Sequence, residues 1–150
     1  MIPFLVLIVT FALLSAAGWA GLPSPDGWAA SLRIALAAML LVTASAHWGR
    51  KRLDVVAMVP PSLPNAPALV TVTGVLEIAG AIGLVIPATA KWAAAGLILM
   101  LIAMLPANIY AARRGLTLGG RPVTPLVPRI ALQIVFIAAV LLAGWPELVG

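Results

Sequence analysis

Cysteine is absent from this 150-residue chain. That excludes disulfides, thiolate metal sites and CxxC redox chemistry. Histidine occurs once, at His47, so neither an HExxH zinc site nor a bis-histidine haem site can be assembled from this chain alone. Asp and Glu together number four, and charged residues make up only 9% of the sequence, against about 25% in a typical soluble domain. So little charge excludes a disordered chain and an ordinary cytosolic enzyme. No nucleophile–base pair and no phosphate-binding loop is present, so an enzyme acting alone is the least supported class of function. The net charge of +5 does not point to nucleic acid, because the basic residues flank apolar stretches and form neither a basic helix nor an aromatic platform.

What is abundant is apolar. Hydrophobic residues make up 63% of the chain, and the mean hydropathy is +1.16. A helix needs about 20 apolar residues to cross a hydrocarbon core of about 30 Å. Five stretches qualify, at about 2–20, 28–48, 68–87, 92–112 and 129–146. In lipid, a backbone satisfies its hydrogen bonds only within a helix or a closed barrel. Runs such as Ala93 to Leu105 lack the alternation of barrel strands. The expected fold is therefore all-α: one membrane domain over residues 1–150, a polytopic bundle of five transmembrane helices. The first stretch lacks a basic leader and reads as a retained span, with Gly18-Trp19-Ala20 as a weak signal-cleavage alternative.

The connectors are rich in turn formers. Residues 48–67 carry a basic cluster and four prolines, and a short interfacial helix over about Gly49–Met58 is expected there, stopped by Pro60 and Pro61. Residues 113–128 read as a Gly- and Pro-rich loop. With five spans, these two connectors fall on the same side. They hold Arg50, Lys51, Arg52, Arg113, Arg114 and Arg121, with Arg129 at the edge, whereas Arg33 and Lys91 fall opposite. Basic residues concentrate on cytoplasmic loops. The expected orientation therefore has the N-terminus on the cytoplasmic side and the C-terminus outside.

Glu77 is the most informative residue. It lies nine residues past Ala68, about 14 Å deep at 1.5 Å per residue. An ionised carboxylate there costs on the order of 3 kcal/mol or more, so it is expected to face the bundle interior, to be protonated, or both. Thr73, Gly74, Gly80, Ala81 and Leu84 share its helical face. His47 ends the second span, with Thr43 one turn deeper. Asn108 lies near the end of the fourth span, and Gln133 is four residues into the fifth, one turn past Arg129. All these strongly polar residues fall in one half of the membrane. They predict a polar pocket with Glu77 at its floor, lined by His47, Thr43, Thr73, Asn108 and Gln133. Asn108 and Gln133 also read as interhelical glue. Pro106, within the fourth span, frees the carbonyl of Ile102 and predicts a kink. Tyr110, Trp48, Trp92 and Trp145 read as interfacial belt residues.

One stretch, SAHWGRKRLDVVAMVPPSLPNAPALVTVTGVLEIAGAIGLVIP, is followed later by LPANIYAA. Together they resemble the DoxX-like family of small bacterial membrane proteins. The residues that carry the likeness are His47, Met58-Val-Pro-Pro61, Leu63-Pro64, Thr73-Gly74, Glu77, Gly80, Gly83 and Pro106-Ala-Asn108, within roughly residues 34 to 142. The resemblance implies a four-helix core with the first span as an added N-terminal helix. It also implies a non-catalytic subunit associated with redox proteins, with quinone or lipid as the ligand of the pocket. Membrane lipid is an expected partner, nucleic acid is not, and a homo-oligomer is open. A small proton-coupled transporter and a membrane scaffold or assembly protein are the alternatives.

Overall fold

Apolar runs of this length leave the backbone no partner in lipid but itself, and all five form helices. The computed structural model describes residues 2–149. Helix α1 spans Ile2–Trp19 and α2 spans Gly27–Ala44, extended by one 3₁₀ turn over Ser45–His47. The short α3 (Arg52–Ala57) follows, then α4 (Ala66–Val85). The fourth span is divided into α5 (Ala90–Ala103) and α6 (Leu105–Arg113), and α7 (Leu126–Gly144) is the fifth. Five helical segments, over 2–19, 27–47, 66–85, 90–113 and 126–144, are long and apolar enough to cross a membrane.

Local chemistry sets the boundaries. Asn65 adopts a left-handed conformation and caps α4, its side-chain oxygen accepting from the Ala68 N–H at 3.4 Å. Pro67 then sits in the first turn, where a missing N–H costs nothing. The helix accordingly starts two residues earlier than the apolar run alone suggests. Pro128 is tolerated in the first turn of α7 for the same reason. The expected kink at Pro106 is present as an interruption at Met104 between α5 and α6.

Helices α2, α4, α5 and α7 form a closed ring in which each packs on two neighbours, and α1 lies outside it against α2. Leu36, Leu84 and Val140 are fully buried at its centre, with Ala35, Ala94 and Ala143 completing the core. Between helices in lipid the hydrophobic effect drives little, so close packing of small residues holds them together. Of α1, only Leu7 is buried. Large side chains such as Leu13, Ile82, Leu99 and Ile134 point outward, as the surface of a bundle solvated by acyl chains requires.

Polar contacts show that successive spans from α2 onward run in opposite directions. At one end, Arg33 at the start of α2 donates from Nε to the Ala143 carbonyl at the end of α7 (2.8 Å). At that same end, Lys91 at the start of α5 pairs with Glu147 beyond α7 (2.6 Å). At the other end, Arg52 beyond α2 meets Pro67 and Thr71 at the start of α4, and Arg129 at the start of α7 meets Asn108 in α6.

Two connector expectations need correction. The interfacial helix is shorter than Gly49–Met58: Gly49–Lys51 form a turn, and α3 covers only Arg52–Ala57. Residues 113–128 are more ordered than a loop. Thr117–Leu118 (β1) pairs antiparallel with Arg121–Pro122 (β2). The turn residues Gly119 and Gly120 have φ of 61° and 75°, the conformation a tight two-residue hairpin turn demands and glycine supplies at least cost. Trp145 departs from the expected belt, because it packs against the core.

Candidate functional site

The buried face of α4 consists of Val70, Gly74, Glu77, Gly80, Ala81 and Leu84, a three-and-four spacing that aligns them in one stripe. Glu77 therefore faces the bundle interior and is only 5% exposed. Because α2 and α4 run antiparallel, Glu77 lies level with Thr43, Gly74 with His47, and Thr71 with Arg52. The Thr43 hydroxyl donates to Glu77 Oε2 at 2.8 Å, and the Leu40 carbonyl lies 2.9 Å from Thr43 Oγ1. One hydroxyl has one proton and two lone pairs. It can donate to an ionised Glu77. It can equally accept from a protonated Glu77 while donating to Leu40. Thr43 thus serves both protonation states without moving.

The His47 ring is 4% exposed. Its Nδ1 lies 3.3 Å from the Thr43 carbonyl and 3.9 Å from Glu77 Oε2. A carbonyl only accepts, so this contact assigns the proton to Nδ1 and leaves Nε2 of a neutral ring as an acceptor. Nε2 is buried and, among the described residues, has no hydrogen-bond partner. Gly74 makes the arrangement possible: a Cβ there would lie 2.7 Å from Trp48 Cη2 and 2.8 Å from His47 Cβ. Arg52 holds the segment from outside. Its Nη1 donates to the His47 carbonyl (2.6 Å), and Nη2 donates to the Pro67 carbonyl (3.1 Å) and Thr71 Oγ1 (2.9 Å).

Asn108 and Gln133 form a second cluster. Asn108 Nδ2 donates to Gln133 Oε1 at 3.0 Å, and Gln133 Nε2 donates to the Leu101 carbonyl at 2.6 Å. That carbonyl is adjacent to the break which Pro106 imposes on the helix. Arg129 completes the group, with Nε and Nη2 donating to Asn108 Oδ1 at 3.1 and 2.8 Å. Its Nη2 is also 4.0 Å from Met58 Sδ, which anchors the end of α3 over the cluster.

The six nominated residues are therefore divided. Thr43, His47 and Glu77 meet at the α2–α4 interface, whereas Asn108 and Gln133 meet at α6–α7. No hydrogen bond among the described residues joins the two groups. Thr73 belongs to neither, because its hydroxyl bonds back to the carbonyls of Leu69 and Val70 (3.0 and 3.1 Å). Nor do the nominated residues line the two described cavities. One, of about 220 Å³, lies between α4 and α5 by Leu76, Gly80, Gly96 and Met100. The other, of about 300 Å³, lies between α2 and α4 by Leu41, Ala81 and Val85. Both are apolar. Among the described residues, no three His, Cys, Asp or Glu side chains converge as a metal site.

Sequence reasoning misses two participants, Arg52 and Arg129, and one buried polar residue elsewhere, Ser31. In the sequence Arg52 reads only as a loop charge, although it follows His47 by five residues. Arg129 reads as a residue at the edge of its connector, one turn before Gln133, and only the fold brings it onto Asn108. Ser31 is a buried polar residue at the opposite end of the bundle, its hydroxyl satisfied by the Gly27 carbonyl at 3.3 Å.

No curated protein and no solved structure matches the chain. A family model described as "Domain of unknown function (DUF8561)" matches residues 36–143. That stretch begins inside α2 and ends inside α7, so it takes in both polar clusters and omits α1. The protein, a five-helix membrane bundle, belongs to the DUF8561 family.

Proposed function

We propose that this protein is a non-catalytic integral membrane subunit of DoxX-like type, serving a redox complex by holding a quinone-like head group against His47 and Glu77. The observation that carries the reading is His47 Nε2, a buried nitrogen with no partner among the described residues. Leaving such an acceptor unmet costs about 1–3 kcal/mol, which a ligand hydroxyl would recover. A quinol supplies that hydroxyl on a flat apolar ring suited to entry from lipid. Glu77, with Thr43 able to serve either protonation state, is placed to answer a second polar atom. The likeness to the DoxX-like family supports the same ligand class. The basic connectors support an orientation with the N-terminus inside, and the DoxX-like resemblance supports a bacterial inner membrane as the location.

The alternatives draw less support. A transporter needs a polar route to both faces, whereas the half of the core beyond Glu77 is filled by Leu36, Ala81, Leu84, Leu97 and Val140. A pure scaffold explains the closed Asn108–Gln133–Arg129 group but not an orphaned imidazole nitrogen.

The test is binding of a short-chain quinol to the protein in nanodiscs under reducing conditions. Trp48 serves as the reporter, because its ring lies 6.0 Å from that of His47. A Trp48→Phe control isolates its emission. Saturable binding that weakens at least about tenfold in His47→Leu, the loss of one hydrogen bond of about 1.4 kcal/mol, is expected. Equal binding by native protein and His47→Leu overturns the assignment.

A further inference from the structure

The end of the bundle that carries α3 and the hairpin also carries most of the protein's positive charge, and the fold gathers it into one platform. Asp54 in α3 accepts from the backbone N–H of Gly119, at the hairpin tip, at 2.7 Å. The Lys51 side chain lies along the same glycine, its Cε 3.0 Å from where a Cβ would stand. The hairpin is thereby pinned on α3, so Arg121 in β2 is brought to the side of Arg50 and Lys51. Arg113 and Arg114 at the end of α6 enter the hairpin directly. All five cations are exposed. Asp54 is the only acid on this face, and its carboxylate is already occupied by the Gly119 N–H. The close carboxylate approaches among the described residues, His47–Glu77 and Lys91–Glu147, involve none of the five. At the same end Leu53, in the short α3, and Val127, in the first turn of α7, are apolar side chains each 79% exposed.

We propose that this platform is a binding surface for anionic phospholipid head groups. Its position at the membrane-facing ends of α2, α4, α6 and α7 puts the guanidinium and ammonium groups at head-group level. Leu53 and Val127 then enter the acyl region beside them. Five cations against one occupied carboxylate favour a multiply charged lipid cluster over zwitterionic lipid. The pairing through Asp54 and Gly119 holds the charges in a fixed array. The inference is independent of the ligand reading for His47 and Glu77, because none of these residues touches that site.

The experiment is a thermal-stability titration of detergent-purified full-length protein with phosphatidylglycerol, phosphatidylcholine or inorganic phosphate, repeated at low and high salt. Stabilisation by phosphatidylglycerol at concentrations where phosphatidylcholine and inorganic phosphate do nothing, falling with salt, is expected. A basic residue near an anionic surface contributes about fivefold in affinity. The triple variant Arg50→Gln/Lys51→Gln/Arg121→Gln is therefore expected to need roughly 100-fold more lipid for the same effect. The charge-keeping pair Arg50→Lys/Arg121→Lys is expected to respond as the native protein does. An equal response to phosphatidylcholine, an equal response to inorganic phosphate, or no dependence on salt overturns the proposal with the native protein alone. So does a folded triple variant that keeps the full response.

Discussion

Replacing Thr43 by Val removes one hydroxyl and almost no volume, and it tests the central contact of the acid cluster directly. In the native protein Thr43 is, among the described residues, the one side chain hydrogen-bonded to Glu77, at 2.8 Å. Interhelical hydrogen bonds in membranes couple by about 0.6 kcal/mol on average and reach about 1.7. A short contact to a carboxyl that is 5% exposed belongs in the upper part of that range, at about 1 kcal/mol or slightly more. Thr43→Val should therefore lower Tm by about 2–4 °C, the shift about 1 kcal/mol produces in a protein of this size. In a Glu77→Leu background the same substitution should cost little, because the hydroxyl then bonds only the Leu40 carbonyl of its own helix. The double-mutant cycle, read by thermal unfolding in one detergent, isolates the pairwise energy. Additive effects, with coupling below about 0.3 kcal/mol, would refute the contact between Thr43 and Glu77 and with it the paired cluster.

Arg129→Leu should lower Tm by about 2–4 °C, because Asn108 Oδ1 loses both its guanidinium donors at a cost of about 1 kcal/mol. Arg129→Lys should recover only part of this, since an ammonium cannot reproduce the two-pronged contact, and thermal unfolding of the two variants side by side checks it. At the opposite end, the hydrogen bond and charge of Lys91 hold the Glu147 carboxyl below the usual range. A group with a lowered folded pKa contributes stability above its unfolded pKa and loses it as pH falls through the folded value. The pair is fully exposed, so its contribution is small. An NMR titration should find the Glu147 midpoint below that of an unstructured glutamate and moving upward in Lys91→Met; an unchanged midpoint would show that the pair does not form.

Much of the fold is legible because lipid restricts the options so severely. A run such as Ala93–Leu105 without charge can only be a helix at that depth, and Pro106 can only interrupt it. The inward direction of Glu77 follows from the cost of exposing a carboxyl to hydrocarbon. Placing Thr43 one turn from His47 needs only helical periodicity. Boundaries at caps and prolines were less legible, since the apolar run that suggests 68–87 says nothing of Asn65 and Pro67. The hairpin over residues 117–122 was hidden by glycines that a linear reading assigns to loop, although Gly119-Gly120 is a tight-turn signature.

Membership of a half-membrane is a one-dimensional property, and sequence spacing can supply it: depth follows from residue number at a fixed rise per residue. Which helices lie side by side is not encoded in depth. Only the ring of α2, α4, α5 and α7 decided that Glu77 meets Thr43 and His47, that Asn108 and Gln133 meet Arg129 instead, and that Thr73 meets neither. The same holds for His47 Nε2. Its burial depends on Gly74 admitting the ring between two helices, a consequence of packing that no periodicity expresses.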